Sequence, residues 1–306
     1  MDRRTFIAAS STALIGSVLG GISPSHAAAS LSVRPTSGGP LVTPNGTFFL
    51  YSQMRYPAKL PQGVQIDGLV KTSARYSLDD LAKVPQVKKT LTLECFVNTA
   101  GGALIFNTPF EGAPLPALLQ KAGVKPEAKA ARIETIDGHP PFVLPLTELM
   151  RPETMLVGKF GGQPVPMQHG SPYTRLFIPG AGGNHHPKWV TRITLTDKAA
   201  PEHPAPPMAG FLKPTPPTAR APLSGVTLTG YAFTGAEKVG KVEVSTDNGT
   251  TWRAMPLPSQ PDQDVWITFD LTFVPPEKGF YVVKVRATSA SGRKQDFPGV
   301  IGVEVV

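Results

Sequence analysis

The chain has 306 residues, 30 Lys or Arg against 22 Asp or Glu, a formal net charge of +8 and one cysteine. A single cysteine excludes an internal disulfide and the Cys-x-x-Cys-His run that attaches c-type haem, so stability must come from packed cores. No nucleic-acid motif accompanies the positive charge, which instead suits an anionic small molecule, an acidic redox partner or an anionic membrane face.

The chain opens with Asp2-Arg3-Arg4-Thr5-Phe6-Ile7, an apolar stretch to Ile22, and small residues at Ala27-Ala28-Ala29. Residues 1–29 therefore read as a twin-arginine signal peptide, with a periplasmic, soluble mature chain as the expectation. Removing this segment leaves 28 basic and 21 acidic residues, a charge of +7. No later stretch reaches the ~18 consecutive apolar residues of a membrane span.

The 34 prolines and 30 glycines point to a loop-rich, strand-dominated protein with few helices. Residues 30–199 form the first expected domain, of mixed α+β type. Ser77 should cap a short helix whose first turn holds Asp79 and Asp80. Lys89–Glu94 alternates as a strand and delivers Cys95 to its end. Pro114–Ala122 reads as a helix with Leu115, Leu118 and Leu119 on its apolar face, and Arg132–Ile136, Arg175–Ile178 and Val190–Thr196 as strands. Residues 200–222 hold eight prolines and read as a stiff linker. Residues 223–306 alternate over Val226–Phe233, Val239–Ser245, Val265–Phe273 and Tyr281–Ala287, with Asp247-Asn248-Gly249 as a turn and Trp252 as a core residue. This spacing suggests an immunoglobulin-like sandwich.

Cys95 taken alone has two readings, a small core residue or a thiolate ligand. His185 and His186 follow the glycine-rich run Pro179-Gly180-Ala181-Gly182-Gly183-Asn184 and precede Lys188. Such a turn is either a plain strand connection or a phosphate cradle of backbone amides beside a lysine. The two histidines could also join Cys95 as zinc ligands.

Several segments in order resemble one family: Leu41-Val42-Thr43-Pro44-Asn45 with Phe48-Phe49, Asp67-Gly68-Leu69-Val70, Ser77-Leu78-Asp79-Asp80-Leu81, Leu93-Glu94-Cys95 with Asn98, His169-Gly170, Arg175-Leu176, Pro179-Gly180 and Lys188-Trp189-Val190. Together they resemble the molybdopterin domain of sulfite oxidases. Val242-Glu243-Val244-Ser245 and Asp247-Asn248-Gly249 with Thr251-Trp252 resemble that family's C-terminal dimerisation domain.

The resemblance implies a sulfite oxidase-type fold and a molybdenum-molybdopterin cofactor (Moco), with Cys95 binding molybdenum through its thiolate. Asn45, His169, Arg175, His186 and Lys188 fall where the family contacts the pterin and its phosphate. It further implies oxygen-atom transfer on a small substrate, a homodimer, and electrons exchanged with a separate redox protein such as a c-type cytochrome. Sulfite-oxidising members carry Arg and His where this chain has Tyr51 and Gln53. Tyr51, Gln53 and His139 are therefore expected to position a substrate less charged than sulfite, unless cations such as Arg55 or Lys159 supply the missing charge. The competing readings are a cofactor-free binding or assembly protein on the same fold and a zinc hydrolase built on Cys95, His185 and His186.

Overall fold

The computed structural model describes residues 30–36, 41–45, 47–49, 56–95, 97–98, 102 and 104–306. The expected signal peptide, Tyr51, Gln53 and Arg55 lie outside these residues. Among those described, no helix is long and apolar enough to cross a membrane.

The chain divides into two units that do not follow its order. One contains Thr43–Leu91 and Thr108–Pro204; the other contains Thr92–Asn107, Ala205–Val306 and the described residues before Thr43. The chain leaves the former inside the strand Val87–Glu94 and re-enters it inside Ile105–Pro114.

In the unit with Thr43–Leu91 and Thr108–Pro204, one sheet has the order Ala74–Ser77, Gly63–Gly68, Val190–Thr196, Ala130–Thr135, Phe142–Pro145. Its central pair, Gly63–Gly68 with Val190–Thr196, is parallel. Helix α1 (Leu78–Lys83) starts as expected. The Ser77 hydroxyl accepts the Asp80 amide proton and the Asp80 carboxylate accepts that of Ser77, a reciprocal capping box. Helix α2 (Leu115–Ala122) buries Leu115, Leu118 and Leu119, each worth about 1.5–3 kcal/mol of apolar transfer. It ends at Gly123, whose φ of 71° is the left-handed stop that glycine supplies. These leucines join Val64, Ile66, Ile133, Leu156, Ile178 and Ile193 in one core. Helix α3 is a single turn, Leu146–Leu149. Met155–Phe160 pairs antiparallel with Arg175–Phe177 and so fixes the start of the cation-bearing hairpin described below.

In the other unit two sheets face each other. One has the order Ser30–Pro35, Ile267–Val274, Val226–Phe233, Met208–Lys213, all antiparallel. The second has the order Thr218–Ala221, Gly299–Val305, Gly279–Ser289, Val239–Ser245, Arg253–Ala254, and its first pair is parallel. Phe211, Leu228, Phe269, Leu271 and Phe273 from one sheet meet Val242, Val244, Tyr281, Val283 and Ile301 from the other. The segment expected to be a bare linker carries two strands, Met208–Lys213 and Thr218–Ala221. Its prolines flank those strands instead of interrupting them, which suits a residue that cannot donate to a ladder. Trp252 is not a core residue: it is partly exposed, donates Nε1–H to Gly249 O at 3.0 Å, and lies under the Arg286 guanidinium at 4.0 Å.

Candidate functional site: a buried thiol and a cationic hairpin

Cys95 ends the strand Val87–Glu94 and is buried. Its turn is closed from both sides. The Cys95 amide donates to Leu104 O at 2.8 Å, Cys95 O accepts the Asn98 amide at 2.9 Å, and Asn98 Oδ1 accepts the Leu104 amide at 3.0 Å. The strand feeding this turn is anchored inside its own unit, where Thr92 donates its amide to Asp264 O and its hydroxyl accepts the Trp266 amide at 2.9 Å. Trp266 in turn donates Nε1–H to Leu41 O at 2.9 Å.

The other unit brings His169, Arg175 and Lys188 together. Arg175 and Lys188 stand on the two arms of one hairpin, drawn together by Leu176 N to Pro187 O at 2.9 Å and Val190 N to Thr174 O at 2.8 Å. Both cations grip the short turn Met167–His169: Arg175 Nη1 donates to His169 O at 2.8 Å and Lys188 Nζ to Gln168 O at 3.1 Å. Gly170, at φ 114°, makes this approach feasible, because a Cβ there would lie 3.1 Å from Arg175 Cβ and 3.2 Å from Lys188 Cβ. Burial, then the charges of Arg175 and Lys188, hold the His169 imidazole down to about 3, so the ring is neutral at ordinary pH. The same arginine acts on His186. The local potential is therefore positive.

His186, expected to contact the pterin, lies in the turn between the two arms. Its Nδ1 accepts the Ile178 amide at 3.1 Å, which forces the Nε2–H tautomer, and Nε2 faces Ala181 O at 3.2 Å. The ring also stacks on Phe177 at 4.5 Å. Both ring nitrogens are thus engaged inside the turn. His185 is stacked on His203 instead, with centroids 3.7 Å apart. Among the described residues no group of three His, Cys, Asp or Glu is placed to hold a metal ion. Asn45 is likewise occupied: Nδ2 donates to Gly161 O at 2.7 Å across an exposed turn. His139 is part-exposed, stacks on Phe142 at 4.2 Å, and directs Nδ1 at Pro140 O. Lys159 is paired with Glu111 at 2.8 Å, so its charge is already answered.

Sequence reasoning missed Trp189 as a participant. It is fully buried, its φ is 54°, and its Nε1–H has no acceptor among the described residues. The Tyr56 ring meets it edge-on at 6.0 Å and Lys188 lies 5.7 Å from its centroid. Ser171 and Tyr173 also have φ of 55° and 60°, so strained backbone concentrates on this hairpin. Two cations on one hairpin, one of them near a buried indole N–H, suit a polar anionic ligand. The chain's single thiol, set at a strand end, is a soft donor that suits a metal bound partly by an organic group. Both observations fit molybdopterin.

The comparisons with known proteins agree. The family model described as oxidoreductase molybdopterin binding domain matches residues 60–204, and the Mo-co oxidoreductase dimerisation domain matches 217–272. Mitochondrial sulfite oxidase of Mus musculus is 27% identical over 270 residues, covering 71% of this chain and 49% of that protein. The protein-methionine-sulfoxide reductase catalytic subunit MsrP of Ralstonia nicotianae is 27% identical over 192 residues, covering 55% of this chain and 56% of that one. The chain spans about half the length of the curated relatives it matches. The crystal structure of the sulfane dehydrogenase SoxCD from Paracoccus pantotrophus superposes with a TM-score of 0.73 at 25% identity, covering 86% of this chain and 77% of that one. A buried single thiol, a cationic hairpin and two family domains in the expected order place this chain in the sulfite oxidase family of molybdopterin-dependent oxidoreductases, whose cofactor is Moco.

Proposed function

We propose that this chain is a periplasmic molybdopterin oxidoreductase, exported by the twin-arginine route, that transfers an oxygen atom to or from a small substrate of low charge. The observation that carries the reading is Cys95: the chain's one thiol is buried at a strand end, in a turn closed by three hydrogen bonds. As the thiolate it holds the metal. Arg175 and Lys188 bind the phosphate of the pterin, neutral His169 exchanges a hydrogen bond without adding charge, and Trp189 Nε1–H has its acceptor supplied. When bound, the molybdenum centre supplies two-electron oxygen-atom chemistry.

On the substrate side, Tyr51 and Gln53 replace the charged pair of sulfite-oxidising members, and Lys159 is neutralised by Glu111. An anion desolvated without paired cations is costly, so an uncharged S-oxide or N-oxide suits these residues better than sulfite. His139 directs Nδ1 at Pro140 O, which leaves Nε2 for a polar group of the substrate. Electrons pass to or from a separate protein, a c-type cytochrome being the reading favoured by the lack of a haem attachment run. The two-sheet unit is read as immunoglobulin-like and as a dimerisation module, and sedimentation of the exported protein should give twice the chain mass.

The deciding experiment is metal and pterin analysis of natively exported protein beside Cys95→Ser, with X-ray absorption at the molybdenum edge. The wild type should carry molybdenum and pterin, and the variant should lose one sulfur neighbour of the metal. An unchanged sulfur shell in the variant, or a wild type with neither component, overturns the assignment.

A further inference from the structure

The unit with Thr43–Leu91 and Thr108–Pro204 also carries a depression of about 360 Å³, lined by Arg75, Tyr76, Asp80, Lys83, Val84 and Lys121. Its volume lies within the range of small-molecule sites. Three elements bring the lining together. Arg75 and Tyr76 belong to Ala74–Ser77, the end strand of its sheet; Asp80 and Lys83 belong to α1, which Val84 follows, and Lys121 stands in the last turn of α2. The arrangement is fixed by backbone and core. Lys71 N donates to Gly123 O at 2.8 Å and Thr72 N to Ala122 O at 3.0 Å, tying the end of α2 to the chain just before the strand, while Tyr76 shares a core with Leu81, Leu118 and Leu119.

The charges in this depression do not cancel. Asp80 is the one carboxylate of the lining, and its own helix start engages it: Oδ2 accepts the Ser77 amide at 3.0 Å and the Ser77 hydroxyl at 2.7 Å. Those bonds, and then the charges of Lys83 and Lys121, hold the Asp80 carboxyl below 3.8 despite slight desolvation, so it stays ionised at neutral pH. Among the described residues, the side chains of Arg75, Lys83 and Lys121 have no hydrogen bond and no ion pair. Lys89, Lys159 and Arg192 of the same unit, by contrast, are answered by Glu153, Glu111 and Asp67. Three cations against one carboxylate leave two positive charges in a recess, whose walls concentrate the field on whatever enters it. The Arg75 guanidinium offers a planar fork to an oxyanion, and the two lysines offer mobile point charges. Val84 and the Tyr76 ring add an apolar wall for a short carbon chain.

We propose that this depression binds a small organic dianion, its oxyanion groups held by Arg75, Lys83 and Lys121. No residue of the cofactor hairpin lines it, so the inference is independent of the molybdopterin reading. The cations are exposed, which makes the affinity modest and sensitive to salt.

The test titrates the full exported protein at low salt with succinate or with glycerol 3-phosphate, read by calorimetry and by backbone amide NMR, with acetate as the monoanion control. One of the two dianions should bind with a Kd of about 1 mM or tighter, and acetate about tenfold more weakly. Amide shifts should be confined to residues 74–84 and 118–123, a result that needs no variant to fold. Preference for succinate marks the ligand as a dicarboxylate; preference for glycerol 3-phosphate marks it as a phosphate monoester. Lys83→Gln and Lys121→Gln should each raise the Kd about fivefold, the upper worth of one exposed charge pair, while Lys278→Gln, on the other unit, should leave it unchanged. Absence of saturable binding by either dianion, shifts spread over the whole surface, or equal effects of the three substitutions overturns the inference.

Discussion

Replacing His186 by phenylalanine keeps the ring that stacks on Phe177 and removes both of its hydrogen-bonding nitrogens. The Ile178 amide and the Ala181 carbonyl, on fully and almost fully buried residues, then lose their partners. A buried donor or acceptor left unsatisfied costs about 1–3 kcal/mol, so the variant should lose about 2–6 kcal/mol, a large share of a typical domain's stability. Acid adds a second signature. Burial, then the charge of Arg175, holds His186 at about 3 against an ordinary value of 6.5, although its bond to Ala181 O opposes this. Between those limits the unfolded chain binds a proton that the folded chain does not. The contribution is therefore complete above pH 6.5 and lost as pH falls toward 3, at up to about 1.4 kcal/mol per pH unit. Urea titrations at pH 7 and pH 5, with hydrogen exchange on peptides covering 178–190, should show the loss, faster exchange at Ile178 and a shallower acid slope in the variant. A loss under about 1 kcal/mol with unchanged exchange would refute the pinned-tautomer argument.

Three further outcomes follow from the packing. Asp67→Asn weakens the bond from Arg192 Nε at 2.8 Å and that from Thr194 Oγ at 2.8 Å, and should cost about 1–2 kcal/mol given the half-exposed arginine. Burial raises the Asp67 carboxyl, but its bonds to Arg192 and Thr194 outweigh this and hold it below 3.8, so the wild-type advantage, read by urea titration, should fade as pH drops below that value. Gly68→Ala, at φ 82° with Leu195 O 2.3 Å from the added Cβ, should destabilise by about 2 kcal/mol or more in thermal melts. Gln295→Leu strips three buried hydrogen bonds, to Ala209 N and O and Ala287 N, and a part-buried one to Phe297 O, and should cost about 3 kcal/mol or more by the same assay.

The sequence made some of this legible because the physics was local. Val226–Phe233 and Val239–Ser245 announce themselves by alternation and begin and end as expected. The Ser77 cap needs only the three residues after it. Met155–Phe160 and Ile105–Pro114 were not expected as strands, since runs buried on both faces lose alternation and the latter includes two prolines. Proline density also concealed the strands at 208–213 and 218–221. At the site, the family resemblance singles out Arg175, and the glycine-rich turn beside it also marks Lys188. The engagement of both His186 nitrogens could not, because a ring's partners depend on how a turn closes. Arg75, Lys83 and Lys121 come from three elements, and no local motif links them.

The residues around the thiol have a consequence for how this chain can be cut. Cys95 falls within the first matched family segment, yet Thr92–Asn107 packs with Ala205–Val306, and Thr92 is tethered to Asp264 and Trp266. A fragment ending at residue 204 would keep the cysteine and discard the wall behind it. The C-terminal region is thus no detachable appendage: exchanging it between relatives, or expressing the front segment alone, should disturb the surroundings of Cys95.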